Sequence, residues 1–214
     1  APLKESICHG LKTCVANKES IVCGGAAIRA LLEQHNARLY PVDSEHSAIF
    51  QCLEGNRDKE IRRILLTCSG GPFRTWEKGE IAKATVEQAI KHPKWNMGTK
   101  ISIDSATLAN KGLEVLEARW LFDVPVEQVE VIVHPESIVH SMVEYQDRSI
   151  LAQMGVPDMK LPIQVALGYP NRLHQGPEAV DFVTLGSLHF ESPDTERFPC
   201  LALAYEAGRQ GGMA

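Results

Sequence analysis

The sequence lacks several features that would assign it to a class at once. No run of five or six Lys or Arg residues occurs and the net charge is −5, which argues against a nucleic-acid partner. No apolar stretch approaches the length that spans a bilayer, so we expect no membrane partner. The first residues, APLKESICHG, lack the cationic and apolar segments of a secretory signal. They also lack an initiator Met, so we expect a processed product or a fragment.

Cysteine is present, but its spacing builds no familiar site. The six cysteines, at positions 8, 14, 23, 52, 68 and 200, form no CxxC pair and are too scattered for a secreted disulfide scaffold. This usage is typical of reduced, buried thiols in a reducing compartment. A zinc site from Cys8, His9, Cys14 and Cys23 is the alternative, although the spacing matches no common ligand pattern.

The chain does contain an alternation of helix-like and strand-like segments. Apolar spacing, caps and stop signals predict helices at 26–35, 44–55, 79–91 and 105–122, and near 160–168 and 200–208. Short apolar runs predict strands at 37–43, 61–71, 100–104 and 129–135 and near 187–191, with a hairpin over 138–155. The alternation indicates an α/β (or α+β) fold with flanking helices, whose sheet is mixed because the hairpin is antiparallel.

Polar residues follow three of the predicted strands, as Asp43-Ser44-Glu45, Ser69-Gly70-Gly71 and Asp104-Ser105. In open α/β sheets ligands bind beyond the carboxyl ends of strands, so parallel strands would bring these clusters to one crevice. Asp43 and Glu45 offer the carboxylate oxygens that Mg²⁺ prefers. The alternative is a plain helix start, in which Asp43 or Ser44 is the cap and Glu45 favours the positive end of the helix dipole.

The long predicted helix carries a polar stripe. Four residues spaced i, i+3, i+4 and i+7 share one of its faces, namely Thr107, Asn110, Lys111 and Glu114. An amide, a cation and a carboxylate in line can hold an anionic substrate beside a metal ion. The alternative is an ordinary surface helix, in which Lys111 and Glu114 form a weak exposed pair. Gly112 costs about 1 kcal/mol relative to Ala inside a helix, which indicates the close approach of another element.

Two loop segments have the composition of ligand-binding turns. Ser69-Gly70-Gly71 and Ser105 offer hydroxyls and backbone N–H groups to a phosphate, although ordinary turns use the same residues. The segment HPKWNMG (92–98) puts Trp95 and Met97 in a predicted loop. Such side chains either tuck into the core or belong to a lid that covers a bound ligand.

Eight segments of the chain, in order, resemble the 1-deoxy-D-xylulose 5-phosphate reductoisomerase family. They are ANKES (16–20), PVDSEHSAIFQCL (41–53), SGGPFR (69–74), HPKWNMG (92–98), KISIDSATLANKGLEVLEARWLF (100–122), HPESIVHSMVEYQD (134–147), LAQMGVPDMKLPI (151–163) and GRQGG (208–212). The resemblance implies the tail of a dinucleotide-binding domain at 1–36, a central catalytic domain at 37–169, and a connector toward a helical C-terminal region at 170–214.

One part of the family pattern has no counterpart in these residues. Family members carry a glycine-rich nucleotide-binding turn, and neither GxGxxG nor GxTGxxG occurs here. We therefore expect these 214 residues alone not to bind NADPH tightly. Lys94 also stands where the family's lid usually has Asn, which would alter contacts to the ligand or cofactor.

The resemblance implies a role for each matching site residue. The ligands of a divalent metal (Mg²⁺, Mn²⁺ or Co²⁺) fall on Asp43, Glu45 and Glu114. Lys18 and Ser44 join them around the reacting carbon skeleton. The resemblance assigns phosphate binding to Ser69, His92, Ser105, Asn110 and Lys111. It assigns Trp95 and Met97 to the lid. The residues that face the nicotinamide cofactor are Asn17, Lys18, Glu19, Met97 and Gly98.

The implied activity is a metal-dependent rearrangement and NADPH-dependent reduction. It converts 1-deoxy-D-xylulose 5-phosphate, a sugar phosphate, to 2-C-methyl-D-erythritol 4-phosphate in the non-mevalonate isoprenoid pathway. The resemblance also implies a homodimer, in the cytoplasm or in a plastid stroma or plastid-like organelle. The alternatives are a truncated, non-catalytic metal- and phosphate-binding fragment or dimerisation module, and a cofactor-free aldolase or sugar-phosphate isomerase.

Overall fold

The computed structural model describes residues 2–56, 61–95 and 97–211. Its helices are α1 (Pro2–Cys8), α2 (Lys18–Gln34), α3 (Ser44–Cys52), α4 (Lys78–Ile81), α5 (Val86–Ala89), α6 (Thr99–Ala106), α7 (Ala109–Phe122), α8 (Lys160–Gly168), α9 (Phe182–Leu185) and α10 (Pro199–Arg209). Its strands are β1 (Thr13–Val15), β2 (Leu39–Pro41), β3 (Ile61–Cys68), β4 (Val129–Val133), β5 (Val139–Tyr145) and β6 (Ile150–Met154). In these residues no helix is both long and apolar enough to cross a membrane.

The strands form two sheets. Strands β1 and β2 pair in parallel, and the second sheet has the order β4-β3-β5-β6. Strand β3 runs parallel to β4, whereas β5 pairs antiparallel with both β3 and β6. The chain therefore has a mixed α/β fold with flanking helices, which confirms the fold class predicted from the alternating segments and the late hairpin.

Helix α7 lies at the centre of the packing. It contacts both α2 and α10, and the larger hydrophobic cluster includes its residues Val115, Leu116 and Ala118. Strand β3 supplies the sheet side of this cluster through Ile64 and Leu66, which are fully buried. A smaller cluster joins α1, α2, β1 and β2. Functional side chains on α7 are thus held from several directions.

Gly112 permits the contact between α7 and α10. A β-carbon at Gly112 would lie 2.6 Å from Cβ of Ala204 and 3.3 Å from the carbonyl oxygen of Cys200. Two helix backbones can approach this closely only where one of them carries no side chain. The close approach that the sequence indicated at this glycine is therefore present.

The prediction of a strand at 100–104 is wrong, because these residues belong to helix α6. Ile101 and Ile103 alternate with polar residues, which imitates the period of a strand. The buried residues, however, are Ser102 and Ala106, which lie one helical turn apart. Tertiary packing of this small-residue face outweighs the local alternation.

The small-residue face of α6 packs on the turn that follows β3. Gly71 has a φ of 70°, and a β-carbon there would lie 2.7 Å from the carbonyl oxygen of Ser105. Asp104 and Ser105 therefore stand in a helix beside the sheet, not at the end of a strand as predicted.

The long helix predicted at 105–122 begins later, at Ala109. Leu108 has a φ of 57°, a left-handed conformation that separates α6 from α7. Thr107 ends α6, where its hydroxyl donates a hydrogen bond of 3.1 Å to the carbonyl oxygen of Ile103. Thr107 is consequently not part of the polar stripe on α7.

Two other predicted elements differ from the structure. The helix predicted at 79–91 is divided into α4 and α5, because each short helix begins with its own capping box. In place of a strand near 187–191, the described residues show one isolated bridge between Val133 and Glu191. Antiparallel pairing continued along β4 would set Val131 opposite Pro193, which has no backbone N–H to donate.

We predict that Gly112→Ala destabilises the protein by about 1–3 kcal/mol, because the added methyl group overlaps Ala204 on α10. Gly79→Ala is the matched control, since Gly79 is also helical and has nothing within 4 Å of the added carbon. There the higher helix propensity of Ala should leave stability unchanged or slightly raised. Thermal unfolding of both variants measures the difference, and equal melting temperatures would contradict the packing role of Gly112.

Candidate active site

Three carboxylates from different parts of the fold come together beside the larger sheet. Asp43 follows β2, Glu45 lies in the first turn of α3, and Glu114 lies in α7. One carboxylate oxygen of each lies within 4.8 Å of the others. Hard divalent cations take several oxygen ligands at once, so this donor set fits such an ion.

The plain helix-start interpretation of Asp43 does not account for its side chain. Asp43 occupies the position before α3, yet its carboxylate accepts no capping hydrogen bond from that helix. Its Oδ2 lies instead 2.7 Å from Nζ of Lys18. The hydroxyl of Ser44 donates to Oε2 of Glu45 at 2.5 Å, and Oε1 of the same carboxylate lies 2.9 Å from Nζ of Lys111, so Glu45 is also turned toward the site.

Two buried lysines hold the carboxylates together. Nζ of Lys18 lies 2.9 Å from Oε1 of Glu114 and donates to Oδ1 of Asn110 at 2.8 Å. Nζ of Lys111 lies 2.9 Å from Oε1 of Glu45 and 2.5 Å from Oε2 of Glu114. The side chains of Lys111 and Glu114 are 3% and 1% exposed, so the interpretation as a weak surface pair is wrong.

The surrounding carboxylates keep both amines charged. Burial on its own lowers the pKa of Lys18, but Glu114 and Asp43 outweigh it and raise that pKa above the ordinary lysine value. Burial also lowers the pKa of Lys111, but the charges of Glu114 and Glu45 have the larger effect and raise that pKa above the ordinary lysine value. Both side chains are therefore ammonium ions at neutral pH, suited to orienting carboxylates and attracting anions, and unsuited to accepting a proton.

A second polar arrangement lies at the turn after β3. Nδ1 of His92 accepts hydrogen bonds from the backbone N–H groups of Lys94 at 3.2 Å and Trp95 at 2.9 Å. The imidazole is therefore protonated on Nε2, which donates to Oγ of Ser69 at 2.9 Å. Gly71 N–H also donates to that oxygen, at 3.2 Å, so the hydroxyl proton of Ser69 is left to donate to an anion. Burial lowers the pKa of His92, only partly opposed by Glu45, so the ring is neutral at pH 7.

One cavity of about 280 Å³ connects the carboxylates with this turn. Twelve of the residues to which the family resemblance assigns a role line it: Lys18, Asp43, Ser44, Glu45, Ser69, His92, Trp95, Met97, Ser105, Asn110, Lys111 and Glu114. The cavity thus has a carboxylate-rich region suited to a cation and a hydroxyl and imidazole region suited to an anion.

Four of the residues predicted for the site or its surroundings do not line the cavity. Asn17 caps α2, where its Oδ1 accepts from the N–H of Ser20 at 2.9 Å. Glu19 pairs with Lys100 at 2.9 Å, and Gly98 precedes α6. Asp104 also pairs with Lys100. They stand at the beginnings of α2 and α6 and along α6, outside the cavity lining.

The sequence reasoning missed several residues that line the cavity, above all His140 and Cys68. His140 reaches the site because β5 runs antiparallel to β3, so that the start of one strand meets the end of the other. Its ring lies 6.5 Å from that of Trp95, and burial lowers its pKa. Burial raises the pKa of Cys68 to about 11, so its thiol is protonated. The pairing of β5 with β3, which no local pattern revealed, brings His140 to the site, whereas Cys68 ends β3 directly before Ser69.

A second group of potential ligand atoms adjoins the first. Within the described residues, Asp43, His46 and Glu117 form the one other group whose ligand atoms lie within 4.8 Å of each other. Neither group includes a cysteine, and all six cysteines are free thiols. The geometry therefore gives no support to the alternative of a zinc site near the beginning of the chain.

Comparison with known protein families identifies two matching domains. A model described as the 1-deoxy-D-xylulose 5-phosphate reductoisomerase C-terminal domain matches residues 39–122. A second model, described as the DXP reductoisomerase C-terminal domain, matches residues 154–214. The two matches cover separate parts of the chain and name the same enzyme.

Curated relatives that carry the name 1-deoxy-D-xylulose 5-phosphate reductoisomerase resemble nearly the whole chain. The protein of Chloroherpeton thalassium is 56% identical over 211 residues, which cover 99% of this chain and 54% of that protein. The protein of Clostridium botulinum is 55% identical over 212 residues, which cover 99% of this chain and 55% of that protein. The chain therefore spans about half the length of the curated relatives it matches.

Solved structures of the same enzyme share the fold. The reductoisomerase from Zymomonas mobilis in complex with NADPH is 48% identical, with a TM-score of 0.91 over 98% of this chain and 54% of that one. A DOX-P reductoisomerase in complex with NADPH, fosmidomycin and magnesium is 44% identical, with a TM-score of 0.93 and the same coverage of both chains.

We predict that His92 makes stability depend on pH on the acidic side of neutrality. Because the pKa of His92 is lowered on folding, the unfolded chain binds more protons than the folded chain. The stability that His92 contributes is therefore present above about pH 6.5 and declines as the pH falls below that value. His92→Gln should flatten this decline, and the exposed His174→Gln serves as the control. Urea unfolding between pH 7.5 and 5 measures the slope, and an identical slope in His92→Gln and the unmodified chain would count against a buried neutral imidazole.

Proposed function

Since the chain belongs to the 1-deoxy-D-xylulose 5-phosphate reductoisomerase family, we propose that it provides the metal- and substrate-binding part of an NADPH-dependent reductoisomerase. The proposed reaction converts 1-deoxy-D-xylulose 5-phosphate to 2-C-methyl-D-erythritol 4-phosphate in the non-mevalonate isoprenoid pathway. One observation carries the proposal. The carboxylates of Asp43, Glu45 and Glu114 and the Ser69–His92 pair line one cavity of about 280 Å³. A cation site and an anion site in one cavity suit a phosphorylated hydroxy-ketone.

The metal end of the cavity is the proposed place of carbon–carbon bond rearrangement. A divalent cation held by Asp43, Glu45 and Glu114 would supply Lewis acidity toward the ketone and an adjacent hydroxyl of the substrate. Lys18 keeps two of these carboxylates in place and adds positive charge beside the reacting carbons. The rearrangement proceeds by retro-aldol and aldol steps, and hydride from NADPH then reduces the aldehyde. Magnesium, fosmidomycin and NADPH together occupy one of the similar structures, which supports this assignment.

The other end of the cavity is the proposed phosphate site. Ser69 presents a hydroxyl whose oxygen already accepts from His92 and Gly71, so its proton is free for an anionic oxygen. Ser105, Asn110 and Lys111 complete the phosphate contacts as the family resemblance implies. Binding of a phosphate remote from the reacting carbons orients the substrate and contributes to catalysis through position.

The loop that carries Trp95 is proposed as the lid. Trp95 and Met97 line the cavity, where they would exclude water from the reacting aldehyde. The cofactor edge is assigned to Asn17 and Glu19 with Lys18, Met97 and Gly98. Asn17, Glu19 and Gly98 lie outside the cavity lining, at the starts of α2 and α6, so the nicotinamide ring would approach along that edge.

The proposal includes the wider setting that the family implies. We infer a dinucleotide-binding tail at 1–36, a catalytic domain at 37–169 and a connector at 170–214. The substrate is a small sugar phosphate, and the assembly is a homodimer in the cytoplasm or in a plastid-like organelle.

The alternative of a non-catalytic fragment is favoured by one observation, that the chain spans about half of its relatives. Both hypotheses predict metal and phosphate binding and no tight NADPH binding by these 214 residues alone, so the mass of the native protein distinguishes them. A native chain about twice this length supports the reductoisomerase, and a native chain of this length supports the non-catalytic fragment. Calorimetry with NADPH tests the expectation that both share. Micromolar binding would indicate a nucleotide site that the family pattern does not explain.

We predict that the chain binds Mn²⁺ through the three carboxylates and that Glu114→Gln weakens this binding at least about tenfold, because a charged ligand is replaced by an isosteric neutral one. Glu127→Gln is the control, since Glu127 is exposed and remote from the cavity. Electron paramagnetic resonance of free Mn²⁺ measures the affinity, and circular dichroism verifies the fold. Equal Mn²⁺ affinities of the folded Glu114→Gln variant and the unmodified chain would refute the ligand role.

The lid role of Trp95 predicts a change in its fluorescence on ligand binding. In a Trp76→Phe, Trp120→Phe background, fosmidomycin with Mg²⁺ should shift and intensify the Trp95 emission, because the indole is then packed against ligand instead of water. Trp95→Phe in the same background shows the residual signal. If Trp95 emission and quencher accessibility are the same with and without ligand, the loop is ordinary packing.

A further inference from the structure

A second carboxylate is buried one helical turn beyond Glu114. Glu117 is 0% exposed, and neither of its side-chain oxygens has a hydrogen-bond partner among the described residues. Burying a carboxylate without hydrogen bonds is costly, and apolar residues of similar volume often replace buried ion pairs without loss of stability. Packing of α7 alone therefore gives no reason for an acidic residue at this position, which suggests that its carboxyl group acts on a neighbour.

The neighbour of Glu117 is His46, which is also fully buried. Nε2 of His46 donates to the backbone carbonyl oxygen of Glu114 at 2.9 Å, so this nitrogen is committed to α7. Nδ1 faces two carboxylates, with Oε2 of Glu117 at 3.4 Å and Oδ1 of Asp43 at 3.9 Å. The imidazole thus stands between a carboxylate behind the site and a carboxylate in it.

Asp43 needs a restraint of this kind. Its side chain makes no capping bond to α3, so its own helix does not fix the carboxylate. Oδ2 is held by Lys18, whose ammonium group would compete with an arriving cation for the same oxygen. Oδ1 is the oxygen turned to His46, whose Nε2 is fixed by the Glu114 carbonyl and whose Nδ1 faces Glu117 at ion-pair distance.

We propose that Glu117 is a positioning residue that acts through His46 to hold the Asp43 carboxylate in the orientation required for cation binding. The inference rests on the proposed metal site and extends it to a residue that does not touch the cation. Outer groups that orient metal ligands in this way typically change metal affinity by about 10–100-fold when they are removed. Glu117 and Glu114 occupy successive turns of α7, so one helix carries both a ligand and the group that orients another ligand.

The test is a double-mutant cycle read out as Mn²⁺ affinity of the 214-residue chain, measured by electron paramagnetic resonance. Glu117→Leu should weaken Mn²⁺ binding by about 10–100-fold, and His46→Leu by a similar factor. In the double variant the two losses should not multiply, because Glu117 acts only through His46. Glu206→Gln on α10, an exposed acidic residue, is the control and should bind Mn²⁺ as the unmodified chain does.

Asp43→Asn tests the metal site separately from the positioning role of Glu117. If Asp43→Asn binds Mn²⁺ as tightly as the unmodified chain, the metal site itself is refuted and the positioning role falls with it. If Asp43→Asn loses affinity while Glu117→Leu keeps it, only the positioning role is overturned. Losses that multiply in the double variant also overturn it, because Glu117 would then act by another route.

A variant that preserves the charge protects the test against misfolding. Glu117→Asp withdraws the carboxylate from His46 by one methylene group and keeps an acid at the position. If Glu117→Leu does not fold, Glu117→Asp decides the question, with weaker Mn²⁺ binding expected. A folded Glu117→Asp variant with unchanged Mn²⁺ affinity would then overturn the inference. Melting temperatures of all variants distinguish a loss of affinity from a loss of fold.

Discussion

The carboxylate of Glu114 is the interaction on which the rest of the site depends. One oxygen accepts from Lys18 and Asn110, and the other from Lys111. These bonds join α2 to α7, and the additional bonds of Lys111 to Glu45 and to the carbonyl oxygen of Thr67 extend the network to α3 and β3. Each charge would be costly to bury by itself, and together they are tolerable because every ammonium group has carboxylates around it. The network therefore fixes the relative positions of four elements and, with them, the width of the cavity.

Much of the fold followed from local patterns, and the exceptions have identifiable causes. Helices α3, α8 and α10 and the hairpin β5–β6 lie where apolar spacing and turn residues predicted them. The strand prediction around Ile101 and Ile103 was wrong because it followed the alternation of apolar and polar residues. The residues of this segment that are buried are Ser102 and Ala106, one helical turn apart. Leu108 divides the following helix by adopting a conformation that no propensity assigns to leucine.

The composition of the site was more predictable than its geometry. Asp43 and Glu114 were recognisable as candidates from their positions after a strand and on a polar stripe, yet each had a plain structural alternative. Long-range contacts removed those alternatives: Asp43 turns to Lys18, and Lys111 with Glu114 is buried. His140 and Cys68 were out of reach, because they enter the cavity only through the pairing and the end of strand β3. The roles of the site residues in binding and catalysis remain predictions.

The turn after β3 has a consequence for how this cavity can vary among related sequences. Gly71 touches the backbone of Ser105, so that the distance between sheet and helix α6 is set by the absence of a single carbon atom. A β-carbon at Gly71 would overlap the carbonyl oxygen of Ser105, so a larger residue there requires the turn or helix α6 to move. Substitutions of the side chains that line the cavity alter its chemistry one group at a time. The size of the cavity depends instead on this backbone contact, so the binding specificity and the size of the cavity can evolve through different substitutions.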